Sequence, residues 1–216
     1  MLVKDRMTRH PLMVEPAMPI TTARAYMQDN RIRHLPIVGD GKRLLGLITR
    51  STLTMGVPAR VPSFNLLDLD AVLSRITVGD IMVRDVATID ENATLEQAAR
   101  VMLDKKIGCL PVVEDGIVIG IITETDLLAA TMELLGARRP GVRLTALIPD
   151  ECGSLAGVVN AISNEGGSIM ASVTYPSERD KLRWAVVIKV DNLSRDQLVR
   201  ALKGLEGIEI VEAREG

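Results

Sequence analysis

The chain has 216 residues, 47% hydrophobic and 25% charged, with a formal net charge of -2. That length suits two ordinary domains or one large one, and that balance describes a globular protein rather than a disordered one. Aromatic residues make up only 2%, too few for the stacking platforms of single-strand binding, and the charge provides no basic field, so nucleic acid is not an expected partner.

Two cysteines, Cys109 and Cys152, stand in different segments without a CxxC, and the two histidines, His10 and His34, form no metal spacing with them. A disulfide scaffold and a Cys-rich zinc site are unsupported, and no metal is expected. No apolar run reaches the roughly 18 residues of a membrane span, and no apolar leader follows a basic start. The chain reads as cytoplasmic, reduced and without a membrane partner.

In chain order, a helix is predicted over 21–29, then strands over 35–38 and 44–49 around a turn at Asp40-Gly41. Pro58 and Pro62 break a connector, and 66–76 reads as a short helix. A short extended segment follows at 87–89, then a helix over 92–104 with Leu95, Ala98, Ala99 and Met102 on one face. Strands over 110–113 and 117–123 meet at Asp115-Gly116, a hairpin signal, before a second helix over 125–135.

This grammar is written twice. VKDRM at 3–7 returns as VGDIM at 78–82, and RIRHLPIV at 31–38 returns as KIGCLPVV at 106–113, both at an offset of 75. GLITRSTL at 46–53 returns as GIITETDL at 120–127, now at an offset of 74. One small unit has been duplicated. A unit with so small a sheet leaves an apolar face open, so two are expected to pack sheet against sheet about a pseudo-two-fold axis, with related clefts between them.

Beyond Arg138-Arg139-Pro140-Gly141 the repeat ends. A strand over 142–148, a tight turn at 149–157 into a helix running to about 165, and a stop at Gly166-Gly167 follow. Strands over 168–175 and 182–190, a helix over 194–205 and a strand over 208–213 complete the order βαββαβ, the ferredoxin-like unit. The fold class is therefore α/β (α+β): units at 1–56 and 78–136, a connector at 57–77, and a third unit at 141–216.

The chemistry concentrates at 120–128, GIITETDLL. A chain leaving a buried strand at Thr123 and starting a helix beside Asp126 presents a hydroxyl, a carboxylate and free N–H groups together, and a helix N-terminus favours anions. For the tetrapeptide alone, a capping box is the commoner explanation. The repeated hxLPVV…G…GIIT…D, however, resembles the cystathionine-β-synthase (CBS) domain, and a tandem pair resembles the Bateman module that binds adenine nucleotides.

The resemblance implies that Thr88, Gly108, Cys109, Leu110, Pro111, Ile122, Thr123 and Asp126 surround an adenine nucleotide in the second repeat, with the terminal Thr and Asp holding the ribose. The first repeat keeps Thr49 but has Thr52 in place of the acid, and Met13 in place of Thr88, so its site is expected to be the weaker one. Arg31, Arg33 and His34 precede Leu35-Pro36 and are candidates to reach phosphates across the facing cleft, against the alternative of a solvated helix end. Cys109 reads as packing rather than a reactive thiol. AMP, ADP or ATP is the implied ligand, with NAD and S-adenosylmethionine ranked behind.

The tail, with D-x-x-G-x-L at 150–155, resembles an ACT domain, a small regulatory module that often binds an amino acid between two copies. This implies a ligand loop at Asp150, Gly153, Ser154 and Leu155, although a Gly turn into a helix is also what the fold itself needs. Joining sheets across a dimer would cover an exposed edge strand, so a homodimer through the CBS or ACT units is expected. A CBS pair followed by an ACT module resembles the acetoin-utilisation protein B family.

No catalytic motif is found: GDGK at 39–42 lacks the P-loop spacing, and GxSxG, HExxH and a dinucleotide fingerprint are missing. A regulatory adenine-nucleotide sensor is the leading expectation. The alternative is a non-catalytic oligomerisation or interaction module without a physiological nucleotide.

Overall fold

The computed structural model describes residues 1–55 and 75–216. Pro58, Pro62 and the helix expected over 66–76 lie outside these residues, apart from Arg75 and Ile76. The chain divides into two compact units, Met1–Leu127 and Leu128–Gly216.

In the first unit each repeat builds a two-stranded hairpin behind a helix. The first has α1 (Ile20–Asp29), β2 (His34–Val38), β3 (Leu44–Thr49) and α2 (Arg50–Met55). Its hairpin turns through Gly41 and Lys42, both at positive φ. The second has α4 (Leu95–Lys105), β4 (Cys109–Glu114), β5 (Ile117–Thr123) and α5 (Glu124–Leu134). Asp115 and Gly116, at φ 49° and 81°, make the two-residue turn that the Asp-Gly pair predicts. Helix α4 starts one turn later than expected because Thr94 caps it: its hydroxyl accepts from the Gln97 N–H while Gln97 reaches back to the Thr94 N–H.

The linear repeat is not the packed unit. The first repeat sends its leading segment into the second: β1 (Thr8–Arg9) pairs with β5, Thr8 opposite Ile121, and Leu2 bridges to Thr94. The second repeat returns the exchange, with Val83 bridged to Leu47 and Thr77 to Pro19. Short helix α3 (Val78–Ile81) lies between those bridges, and Val78 is fully buried in the core formed by Val14, Ile20, Ala23, Leu35, Ile37 and Ile48.

The Leu2–Thr94 and Thr8–Ile121 bridges have their repeat-equivalents in Thr77–Pro19 and Val83–Leu47, so the axis between the repeats is a pseudo-two-fold. Two glycines mark where the exchanged segments cross the sheets. A Cβ on Gly120 would stand 2.5 Å from Met7 Sδ, and one on Gly46 would stand 2.5 Å from Met82 Sδ. Leu47 and Ile121, equivalent residues, are packed in one cluster with Cys109.

The second unit is the expected ferredoxin-like arrangement. Strands β6 (Val142–Pro149), β7 (Ser168–Pro176), β8 (Arg183–Asp191) and β9 (Glu209–Glu215) form one antiparallel sheet in the order β7-β8-β6-β9. Helices α6 (Ser154–Asn164) and α7 (Arg195–Lys203) cover one face through a core of Leu144, Ala146, Val158, Ile162, Ile188 and Leu198. Ser194 caps α7, its hydroxyl accepting from Gln197 N. Gly167 has no room for a side chain: a Cβ would meet Ile162 and Leu193 at 2.7 Å.

Candidate functional site

The turn from β5 into α5 is built around Asp126. Its Oδ2 accepts from the Thr123 N–H at 2.8 Å and from the Thr123 hydroxyl at 2.7 Å, and the Asp126 N–H points back to Thr123 Oγ1 at 3.4 Å. This is the capping box that the tetrapeptide by itself allows. One carboxylate oxygen is therefore occupied by the turn, while the residue as a whole is half-buried and lines a cavity of about 440 Å³.

In the first repeat the equivalent turn has hydroxyls only. Thr49 Oγ1 lies 2.8 Å from Thr52 Oγ1 and 2.7 Å from Ser51 Oγ, and accepts from Thr52 N at 3.1 Å. That turn borders a second cavity of about 570 Å³, lined by Thr49, Arg50 and Ser51 together with Gly108 and Glu124 of the second repeat. Both volumes lie in the range of small-molecule sites.

Arg33 and His34 line both cavities. Arg33 reaches across the repeats, donating from Nη2 to Thr125 Oγ1 at 3.3 Å. His34 opens β2, opposite Thr49 in the ladder. Burial holds its pKa below the ordinary histidine value, the neighbouring Arg33 charge lowers it further, and Glu124 partly offsets both. A Cβ on Gly108 would lie 3.3 Å from Glu124 Oε2 and 3.5 Å from His34 Nε2, so the smallest residue sits where the two side chains approach each other.

The repeat positions are filled unequally. Where the first repeat has Arg33 and His34, the second has Gly108 and Cys109; where the second has Asp126, the first has Thr52. The Asp126 cavity accordingly combines one carboxylate with Arg31, Arg33, His10 and His34.

Sequence reasoning did not place every wall. The Asp126 cavity is closed by Thr8, His10, Pro11 and Leu12 of the exchanged segment. Thr88 was expected there; it is exposed on the segment that precedes the Ile89 bridge to Val112 and lines neither cavity. Gly108 lines the Thr49 cavity instead. Leu110 and Ile122 are fully buried, Cys109 is 3% exposed and Pro111 is buried: four successive residues of β4 are buried, so both faces of the strand are covered. Burial, with Glu124 adding to it, pushes the Cys109 thiol up to about 12, so it stays protonated. The repeat offset shows that Thr8 and Val83 are equivalent, but not which sheet each one joins.

In the second unit, Asp150 and Leu155 are exposed and Gly153 caps α6 at φ 94° without a side-chain bond. Asp150 donates its N–H to Leu182 O and Ser154 donates its N–H to Glu151 O. The loop lines neither of the two cavities on the sheet's outer face. Among the described residues no three His, Cys, Asp or Glu side chains converge as a metal site requires, and no helix is long and apolar enough to cross a membrane.

The CBS domain family model matches residues 3–57 and 78–133. Among solved structures, the chain resembles a putative acetoin utilization protein (AcuB) from Vibrio cholerae, with TM-score 0.54 and 30% identity over 64% of this chain and 95% of that one. It also resembles CBSX2 in complex with AMP, from Arabidopsis thaliana (TM-score 0.52, 27% identity, 62% and 97% covered). A third likeness is to the CBS domain pair of protein MJ0100 in complex with 5'-methylthioadenosine and S-adenosyl-L-methionine (TM-score 0.51, 27% identity, 61% and 99% covered). The chain spans 46% of a relative of 35% identity, uncharacterized protein MJ1225 of Methanocaldococcus jannaschii.

Proposed function

The chain belongs to the CBS-domain family through both of its repeats, and from that premise we propose that it is a regulatory sensor of an anionic adenine nucleotide. The observation that carries this reading is the meeting of the Asp126 turn with Arg31, Arg33, His10 and His34 around one cavity. Asp126 keeps one carboxylate oxygen outside its capping bonds, enough to accept a ribose hydroxyl, while the guanidinium groups suit phosphate. Neighbours of the same fold are solved with AMP and with S-adenosyl-L-methionine. Here the preponderance of cationic side chains favours AMP, ADP or ATP over a sulfonium ligand. The Thr49 and Thr52 turn, without an acid, is the weaker of the two sites.

Helix α5 starts at the Asp126 turn and continues past Leu127 into the second unit. A ligand held at that turn therefore touches an element common to both units. The second unit serves as an ACT-like module, with 150–155 as the loop for an amino acid and self-association as its second role. The likeness to AcuB supports a place near acetoin or acetate metabolism, and two unpaired cysteines, one of them exposed, suit a reducing cytoplasm.

The test is thermal melting with AMP, ADP, ATP and S-adenosylmethionine. Ligand at 100 times its Kd raises stability by about 2.7 kcal/mol, so the nucleotides raise the melting temperature and the sulfonium compound raises it less. A second reading, an interaction module without a physiological nucleotide, draws on the Asp126 capping bonds and the missing acid at Thr52. Unchanged melting with every compound would establish it.

A further inference from the structure

The helices of the second unit pack on one face of its sheet. Residues directly opposite on neighbouring strands share a face, so the register arranges the other face in rows. Lys189 lies between Ala171 and Arg143, and Arg143 is opposite Arg214 in turn. The following rows carry Val173, Val187 and Thr145, then Tyr175, Ala185 and Leu147. A line of three cations therefore borders a mostly apolar surface. Like charges directly opposite cost stability, and an anion placed among them would offset that cost.

Among the described residues Ser177 and Lys189 are the buried polar side chains, and both line cavities on this face. Ser177 is accounted for by its turn, its Oγ accepting from the N–H groups of Arg179 and Asp180 at 3.2 Å each. Lys189 is not. Its ammonium donates to Gly216 O at 3.0 Å and, among the described residues, pairs with no acidic side chain. The acids of β9 are engaged elsewhere: Glu212 with Arg143 at 3.3 Å and Arg214 at 3.5 Å, and Glu209 with Arg183 at 2.9 Å. A buried ammonium is costly without compensating partners, and it has three donors to satisfy.

Lys189 and Arg143 line a cavity of about 230 Å³ whose other walls include Val173, Tyr175 and Val187. Tyr175 also lines a neighbouring cavity of about 240 Å³ with Leu147 and Ala185, where the one acid, Glu178, is accompanied by Arg179. Each is smaller than the ~300 Å³ at which drug-sized sites begin. A cationic end and an apolar body match a small ligand with one anionic head and a hydrocarbon tail. We propose that this face binds a short aliphatic monocarboxylate, its head on Lys189 and Arg143 and its tail along Val173, Val187 and Tyr175. The planar fork of Arg143 suits a carboxylate, whereas an inorganic anion leaves the apolar walls uncovered. An α-ammonium group beside the head would meet the same cations, so the site disfavours amino acids and is distinct from the loop at 150–155. It does not depend on the nucleotide reading.

The test titrates the full, methyl-labelled chain with isocaproate, with leucine, which adds only an α-ammonium group, and with the uncharged isocaproamide. Isocaproate is expected to shift the NMR signals of the Val173 and Val187 methyls and leave those of Leu155, in the 150–155 loop, in place. Leucine and isocaproamide are expected to bind this face about tenfold more weakly or worse. Lys189→Met, which keeps an apolar stem, is expected to weaken isocaproate by a similar factor. Val173→Trp, at a residue 39% exposed, is expected to fill the cavity and abolish the shifts while a cooperative melt shows the fold intact. If Lys189→Met does not fold, Val173→Trp and the three-ligand comparison still decide. Unshifted Val173 and Val187 methyls with isocaproate overturn the site, and equal binding of isocaproamide or leucine overturns the role of its cations.

Discussion

Replacing Asp126 separates its role as a helix cap from the ribose-binding role proposed for it. In Asp126→Ala, Thr123 N and Thr123 Oγ1 both lose an acceptor. A lost helix cap costs about 1 kcal/mol, within about 0.5–2, and the site is only half-buried, so the lower part of the range for charged hydrogen bonds applies. A loss of about 1–2 kcal/mol lowers the melting temperature by roughly 2–8 °C for a chain of this size.

Asp126→Asn keeps an oxygen for both Thr123 bonds and removes only the charge. It is expected to melt close to the wild type without ligand. With ATP, both variants lose the charge-assisted bond to ribose, about 1.5–3 kcal/mol, which weakens binding by roughly 10- to 150-fold. Calorimetric titration of wild type, Asp126→Asn and Asp126→Ala with ATP decides the matter. Wild-type affinity in Asp126→Asn would mean that the carboxylate is a helix cap and nothing more.

Thr52→Ala removes one hydroxyl from a turn without an acid, so it is expected to change ATP affinity less than Asp126→Ala does in the same titration. His34 has its pKa lowered in the folded chain, so folding disfavours its charged form. The associated stability is present above about pH 6.5 and is lost as pH falls through the folded value. His34→Gln is therefore expected to flatten the decline in melting temperature as pH falls below about 6.5. Cys109 is buried and held at about 12 whereas Cys152 is exposed; a thiol reagent at neutral pH is expected to label one cysteine in the native protein and both in denaturant. An added methyl at Gly46 would meet the Val83 carbonyl oxygen at 2.8 Å, but at Gly120 the nearest backbone oxygen is 3.2 Å away and the methionine tip can move. Gly46→Ala is expected to cost about 1–3 kcal/mol in urea unfolding, and Gly120→Ala less.

Local rules made the individual elements legible. Alternation and Asp-Gly turns located both hairpins to within a residue, and Ser194 opens the helix it caps as expected, whereas the cap at Thr94 sets that helix to begin at Leu95 rather than at 92. The asymmetry between Asp126 and Thr52 was also readable, because a duplicated sequence supplies its own comparison. What could not be read was the partner of each leading segment. Val3 would bury its side chain equally well in either repeat's core, since the two cores have the same pattern, and a repeat offset records equivalence without contact. For this reason the repeat does not announce Thr8 and His10 as walls of the Asp126 cavity, while Thr88, which the family resemblance implies there, lines neither cavity.

The exchange has a consequence for any ligand at Asp126. That cavity is made of 8–12 and 31–34 from the first repeat and 121–126 from the second, with β1 held to β5 by only two opposed residue pairs. A molecule touching all three stretches bridges what little backbone pairing joins β1 to its sheet, and so stabilises the pair of repeats rather than either repeat alone. Arg33 already makes that crossing with a single bond to Thr125 at 3.3 Å, exposed to solvent. A phosphate placed between them would replace one weak neutral-acceptor contact with charge-assisted ones. The same arginine and His34 line the Thr49 cavity too, so an anion in either cavity draws on a shared pair of side chains. If both clefts take anions as proposed, the two pseudo-equivalent sites are expected to be coupled through Arg33 and His34.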